Sequence, residues 1–400
     1  MKTIYADVIQ LLEAGQRFAL ATVVHTRGST PQKPGAQALF LPDGRVLGTI
    51  GGGCMEAEAR LRALDSIKAG DRALFEMNLD EDFGWDDGHM CGGAAKIFLD
   101  SQVRQSAAVL RATVAAATNQ RRAVLATIVQ PPPQSPPATA RGESSLKGAR
   151  LLLESKNVQG GDGESTCEIL AADEGVTLEL QFAIATTATA VVKERRETTK
   201  QVVVNDAEYS VYFEPLLPKP ALLICGGGHV GTALCKLGAF LGFDVTVVDD
   251  RPEFANPQRQ PEALATICDD VVKSVRNFNV TPDTYIVIVT RGHRNDAQVL
   301  REVLHSPAAY VGMIGSKRKT LVMRDAFLEE GVATAQDFER VHAPVGLDIG
   351  SETVEEIALS IAAELVLVRT GVERNVRVGG IKKLSDAIRE RTARTAGGTA

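Results

Sequence analysis

The apolar positions of this chain switch between two periods, and the switches outline its elements. Ile4, Val8, Leu11 and Leu12 recur at helical spacing, so residues 4–14 are expected to form an amphipathic helix. Residues 18–25 follow as an apolar, β-branched strand. Two shorter strands, 37–42 and 46–50, are joined by the turn signal Pro42-Asp43-Gly44. After Gly51-Gly52-Gly53 a helix is expected over 54–68. It ends at Gly70, a residue suited to the left-handed conformation that stops helices.

Between 130 and 148 the pattern disappears. Pro131-Pro132-Pro133, Pro136-Pro137 and Arg141-Gly142-Glu143-Ser144-Ser145 bury too little apolar surface to offset the entropy of ordering. This stretch reads as a disordered insertion inside one domain, because apolar strands flank it at 123–129 and 149–153. The run Glu214-Pro215-Leu216-Leu217-Pro218-Lys219-Pro220 is stiff and marks a domain boundary. The expected organisation is an N-terminal mixed α/β domain at 1–214, a second domain at 215–380 and a flexible basic tail at 381–400.

From residue 221 strands and helices alternate. Strands are expected at 221–225, 245–248, 285–289 and 310–314, and helices at 231–241, 297–304 and 319–330. A last helix spans 351–369, with Thr353 and Glu356 spaced as a capping box. Such alternation implies a doubly wound parallel sheet, a Rossmann-like fold.

Composition narrows the function classes. Four hundred residues allow two or three domains, and 44% hydrophobic with 24% charged residues builds ordinary cores. A net charge of −6 gives no basic footprint for nucleic acid. No run of about 18 apolar residues is present to span a membrane. The first residues lack the apolar core of a signal peptide, and no two of the six cysteines have C-x-x-C spacing. Reduced thiols and a cytoplasmic location are expected.

Gly226, Gly228 and Gly231 have G-x-G-x-x-G spacing, after an apolar strand and at the opening of a helix. One glycine permits the turn, one admits a phosphate and one lets helix pack on strand. The helix N-terminus beyond them attracts an anion. Asp249 lies 23 residues after Gly226, where an acidic side chain receives ribose hydroxyls; Asp250 competes for that role. Two further loops leave the sheet at the same edge. One is Thr290-Arg291-Gly292-His293-Arg294-Asn295-Asp296, and the other is Gly315-Ser316-Lys317-Arg318-Lys319. Ser316, Lys317 and Arg318 at a helix start suit phosphate. His229, His293 and Asp296 are candidates for an acid–base pair or a metal site, although isolated histidines more often bond to their neighbours.

In the first half, two glycine-rich loops carry cysteines. Thr49-Ile50-Gly51-Gly52-Gly53-Cys54-Met55-Glu56 delivers Cys54 to a helix N-terminus, where the dipole favours thiolate. Gly88-His89-Met90-Cys91-Gly92-Gly93 leaves Cys91 accessible. Thiolates suit soft metals and sulfur transfer, so Cys54 is the first candidate for contact with a metal or a transferred sulfur and Cys91 the second. Cys167, Cys225, Cys235 and Cys268 are expected to be small buried hydrophobes.

These blocks together resemble the XdhC/CoxI family of xanthine dehydrogenase accessory proteins. Gly28-Ser29-Thr30-Pro31, Lys33-Pro34-Gly35 and residues 48–56 look like its N-terminal signature, and Cys91-Gly92-Gly93 like its second cysteine motif. Gly226-Gly227-Gly228-His229-Val230, Asp249-Asp250-Arg251-Pro252, Thr290-Arg291-Gly292-His293 with Asp296, and Gly312-Met313-Ile314-Gly315-Ser316-Lys317 look like its C-terminal domain. The most specific block is His342-Ala343-Pro344-Val345-Gly346-Leu347-Asp348-Ile349-Gly350, continued by Glu355-Glu356-Ile357-Ala358 and Ser360-Ile361-Ala362-Ala363-Glu364. The resemblance implies a maturation factor, not a catalyst of substrate oxidation. It would bind molybdenum cofactor (molybdopterin) as cargo, keep it during sulfuration by a cysteine desulfurase, and pass it to a molybdenum hydroxylase apoenzyme of the xanthine dehydrogenase type. A homodimer is the expected assembly. The rival expectation is an NAD(P)-dependent oxidoreductase that binds its nucleotide at Gly226 and uses His293 as acid–base.

Overall fold

The computed structural model describes residues 4–79, 93–133, 146–157 and 165–370, without the side chains of Asn157, Ser165, His293 and Arg294. Cys91, most of the proline-rich stretch and the basic tail lie outside the described residues. The described residues form two compact units, parted between Pro218 and Lys219.

The first unit holds two antiparallel sheets. One contains β1 (Ala19–Gly28), β2 (Gln37–Phe40), β3 (Val46–Gly48), β4 (Arg72–Asn78) and β5 (Gly93–Asp100), in the order β3-β2-β1-β5-β4. α1 (Ile4–Glu13) buries Tyr5, Val8 and Leu12, as its spacing requires. α2 (Gly53–Ala69) lays Met55, Ala59, Ala63 and Ile67 against Ala19, Ala21, Ile97 and Leu99. The small residues on both sides let helix and sheet approach closely.

The second sheet follows α3 (Ala107–Thr118). It contains β6 (Ala123–Gln130), β7 (Arg150–Asn157), β8 (Ser165–Ala172), β9 (Thr198–Val204) and β10 (Ala207–Leu216), in the order β8-β7-β6-β10-β9. The strands that flank the proline-rich stretch are β6 and β7, and they pair. α4 (Leu178–Glu194) covers this sheet with Leu180, Ile184, Ala188 and Val191. Pro215 sits in β10 opposite Val124, beyond the point where β9 pairs, so its missing N–H costs no ladder bond on that side.

The second unit alternates β11 (Ala221–Cys225), α5 (His229–Phe240), β12 (Asp244–Asp249), β13 (Ala265–Cys268), α6 (Val271–Asn277), β14 (Thr284–Ile288), α7 (His293–Val303), β15 (Tyr310–Met313), α8 (Lys317–Glu329), β16 (Val341–His342) and α9 (Val354–Thr370). Its strands are parallel, in the order β13-β12-β11-β14-β15-β16. This is the doubly wound, Rossmann-like sheet that the alternation predicts. Leu222 and Ile224 of β11 enter one core and Leu223 and Cys225 the other, so both faces are covered.

Three helices begin earlier than the apolar pattern predicts: α5 at His229, α7 at His293 and α8 at Lys317. A first turn holds N–H groups without intrahelical partners and tends to carry polar side chains. The apolar period therefore starts late. His229, His293, Lys317 and Arg318 consequently stand in first helical turns and not in loops. The capping box of α9 forms as spaced. Glu356 accepts from the amides of Glu352 and Thr353, and Thr353 Oγ1 accepts from the Glu356 amide. Two cysteine expectations need correction: Cys225 and Cys235 are buried, but Cys167 in β8 is only half-buried and Cys268 is exposed at the end of edge strand β13.

Candidate functional site

The strands of the second unit end at one edge, and the residues singled out by chemistry leave from it. At the end of β11 the chain turns through Gly226, whose φ is 120°. A Cβ there would stand 2.4 Å from the Val289 oxygen, one at Gly227 2.5 Å from the Phe254 oxygen, and one at Gly231 1.9 Å from the Gly226 oxygen. These three glycines are required by contacts within the chain itself. Gly228 differs: it is the N-cap of α5, makes no side-chain cap and faces open space. The first amides of α5 therefore remain available to an anion.

Asp249, at the end of β12, is 3% exposed. Its Oδ2 accepts from the Gly227 amide at 2.8 Å and from Arg251 Nη2 at 2.9 Å. Its Oδ1 accepts from Arg251 Nε at 2.8 Å and the Arg251 amide at 3.0 Å. Burial pushes this carboxyl up, but the Arg251 and Gly227 donors outweigh it and hold the group below the usual carboxylate range. Arg251 also lies 3.8 Å over the Phe254 ring. Gln260 Nε2 donates to the oxygens of Gly227 and Phe254, each at 3.2 Å, and to Thr232 Oγ1 at 2.9 Å. Asp249 and Gln260 thus brace the glycine turn and strap the Phe254 loop across it.

The neighbouring loops are also self-supporting. Thr290 Oγ1 donates to Asp296 Oδ1 at 2.5 Å. Asp296 is buried, and its charge adds to burial in pushing the Cys225 thiol up to about 12. Asp296 therefore stands behind the Gly226 turn, while His229 lines a cleft of about 540 Å³ between α5 and α9. The side chain of His293 lies outside the described residues. Ser316 Oγ caps α8 by accepting from the Lys319 amide at 3.4 Å, and Lys317 and Arg318 are exposed beside it. Among the described residues, no group of three or more His, Cys, Asp or Glu side chains is placed to hold a metal ion.

In the first unit, Gly51, Gly52 and Gly53 have φ of 133°, 67° and 55° and deliver Cys54 to the start of α2. Thr49 Oγ1 donates to Glu56 Oε2 at 2.8 Å, and the Ile50 amide approaches the same oxygen at 3.4 Å. Glu56 thereby ties the loop to the helix it opens. A Cβ on Gly51 would stand 3.0 Å from Pro31, so the 28–35 and 48–56 loops meet here. Cys54 is half-buried, and the N-cap Gly52 makes no side-chain cap and faces open space.

Residues 222–365 match the XdhC Rossmann domain, and residues 11–78 match the XdhC and CoxI family. The chain belongs to the XdhC/CoxI family. Among its relatives is the Escherichia coli K12 protein YqeB, 24% identical over 92% of this chain; the chain spans 46% of that relative's length. A Bacillus subtilis 168 protein, named as a probable component of xanthine dehydrogenase, is 25% identical over 90% of this chain and 96% of its own length. The molybdenum cofactor insertion chaperone PaoD of Escherichia coli K12 is 23% identical over 94% of this chain and 90% of its own length. A crystal structure described as a xanthine dehydrogenase from Bacillus halodurans shares the fold, with a TM-score of 0.63 and 20% identity over 94% of this chain and 98% of that one.

The XdhC Rossmann match takes in a network to which residue spacing assigns no role. Glu364 is fully buried and accepts from Tyr310 OH at 2.5 Å, His342 Nδ1 at 3.0 Å and the Gly346 amide at 2.7 Å. Burial pushes Glu364 up, yet His342, Tyr310 and Gly346 together hold it below the usual range. This carboxylate fastens the 342–350 block to α9.

A second network lies behind the XdhC/CoxI signature loop. Tyr5 OH donates to Glu214 Oε2 at 2.5 Å, and Gln37 Nε2 reaches that oxygen at 3.2 Å and Tyr5 OH at 2.8 Å. The Gln37 carbonyl accepts from the Thr49 amide at 3.0 Å, linking the network to the Cys54 loop. Burial, with Glu197 adding to it, pushes Glu214 up against the pull of Tyr5 and Gln37, to about 7. No spacing rule joins residues so far apart in the chain, so neither network is legible in the sequence.

Proposed function

We propose that this protein is a maturation factor that binds molybdenum cofactor and delivers it to an apoenzyme of the xanthine dehydrogenase type. The observation that carries this reading is family membership. The two family models match both units, and a relative of nearly equal length is named a molybdenum cofactor insertion chaperone. The donor chemistry at Cys54 fits the cargo. A half-buried thiol at an uncapped helix start is a soft ligand beside open amides, suited to a dithiolene-bound metal. Cys54 contacts the metal or its incoming sulfur, and Cys91 assists. The sulfur itself comes from a cysteine desulfurase, and the protein works in the cytoplasm as a homodimer.

The rival dehydrogenase reading loses its main support at Asp249. Both oxygens of that carboxylate already accept from Gly227 and Arg251, so a ribose diol would have to displace them. The test is to purify the protein anaerobically from cells that make the cofactor and to assay released pterin by fluorescence. The expected result is bound cofactor in the wild type and its loss in Cys54→Ala. A wild-type protein that carries none would overturn the proposal.

A further inference from the structure

The cleft between α5 and α9 adjoins the glycine turn: His229 follows Gly228, and Thr232, which also lines the cleft, donates to the Gly227 oxygen. α5 contributes His229, Lys236 and Leu237, α9 contributes Glu355 and Leu359, and Arg259 comes from the loop after β12. The two helices run side by side in the same direction. Val354 of α9 lines the cleft with His229 at one end, and Arg369 of α9 donates to the oxygen of Leu241 beyond α5 at the other. Neither Lys236 nor Arg259 has an ion-pair partner among the described residues; Arg259 stands 5.6 Å over the Phe254 ring. Two cations and an imidazole thus line a cavity of about 540 Å³ without being tied up in ion pairs there. Leu237 and Leu359 supply an apolar wall, and Leu359 is 52% exposed. That volume is in the range of small-molecule sites.

We infer that this cleft binds a phosphorylated heterocycle with an amide–amine edge, of the kind shared by guanine and pterins. The phosphate is held by Lys236 and Arg259, with His229 as a further donor. The planar ring lies on Leu237 and Leu359. Glu355 is the carboxylate of the cleft, and a carboxylate accepts two parallel N–H bonds from such an edge. An adenine lacks that edge, so the cleft discriminates between purines. The pterin form of this inference rests on the cofactor reading, whereas the nucleotide form stands without it.

The experiment is calorimetric titration of the full-length protein with GDP, ADP, a pterin monophosphate and inorganic phosphate. Binding of GDP or the pterin phosphate in preference to ADP is expected. Lys236→Glu and Arg259→Glu should each weaken it by about tenfold or more, because each removes a charge-assisted contact. Glu355→Gln should narrow the preference for GDP over ADP and leave inorganic phosphate unaffected. Lys193→Glu, an equal charge change at an exposed position on α4, should leave all affinities unchanged. All four positions are exposed, and circular dichroism checks that the variants fold. Absence of binding, binding indifferent to Lys236 and Arg259, or equal affinity for ADP and GDP would overturn the inference. Cofactor that co-purifies undiminished with Lys236→Glu, together with no GDP binding, rejects the cleft and leaves the chaperone reading standing. GDP binding to a protein that never carries cofactor does the reverse.

Discussion

The two glycine loops that open α2 and α5 look alike in sequence and differ in physics. At Gly226, Gly227 and Gly231 the glycines are needed because backbone oxygens of Val289, Phe254 and Gly226 approach too closely for a Cβ. At Gly51 to Gly53 all three residues have positive φ, and Gly52 faces open space. The first loop is close-packed at three of its glycines and open at Gly228; the second is held throughout at positive φ and is open at Gly52. The carboxyls behind them differ as well. Asp249 is held ionised by Arg251, whereas Glu214 keeps its proton to about 7. A glycine motif alone therefore does not distinguish a ligand cradle from a close-packed turn.

The largest test of this contrast is Gly231→Ala. Its Cβ would meet the Gly226 oxygen at 1.9 Å, so the variant should lose about 3 kcal/mol or more by urea denaturation. A loss under about 1 kcal/mol would break the claim that the turn is close-packed.

Next comes the pH dependence of the first unit. A glutamate in the unfolded chain titrates near 4.5, but folded Glu214 holds its proton to about 7. The protonated form is thus favoured by folding, and this contribution is full below about 4.5 and lost as pH rises to about 7. The change is up to about 3 kcal/mol. Glu214→Gln should flatten the stability profile over that window, and an unchanged profile would contradict the enclosed-carboxyl account.

Asp249→Asn should cost about 2 kcal/mol, because Arg251 and the Gly227 amide lose an ionised acceptor. The sign of its pH dependence is opposite. The folded carboxyl titrates below 3.8, so its contribution is present at neutral pH and lost as pH falls through that range. The smallest effect belongs to Gly52→Ala. It should cost about 1–2 kcal/mol, since φ 67° with ψ −171° is backbone that glycine alone adopts readily, although no neighbour obstructs the methyl group. Thermal denaturation that ranks it above Gly231→Ala would invert the comparison.

Where burial imposes a period, the fold was legible. The buried runs of β11, β12 and β14 give away the parallel sheet, and Thr353 with Glu356 gives away the start of α9. α4 was not legible, because its Thr186, Thr187 and Thr189 are weak helix formers whose hydroxyls bond back to carbonyls four residues earlier. The candidate site was legible as a set of loops at one sheet edge. What each residue does there was not. Asp249 stands at the spacing of a ribose-binding carboxylate, and its partner Arg251 two residues on is evident only once the turn is folded. Lys236 and Arg259 fit no motif, since they converge from a helix and a loop 23 residues apart.

The most direct measurement of the proposed function is transfer. Cofactor-loaded protein, prepared anaerobically, would be mixed with cofactor-free molybdenum hydroxylase and the recovered substrate oxidation followed against an equal amount of free cofactor. A maturation factor should restore activity faster than free cofactor, and Cys54→Ala should not. Recovery no faster than with free cofactor, or undiminished in Cys54→Ala, would contradict the role assigned to the protein and to its open glycine loop.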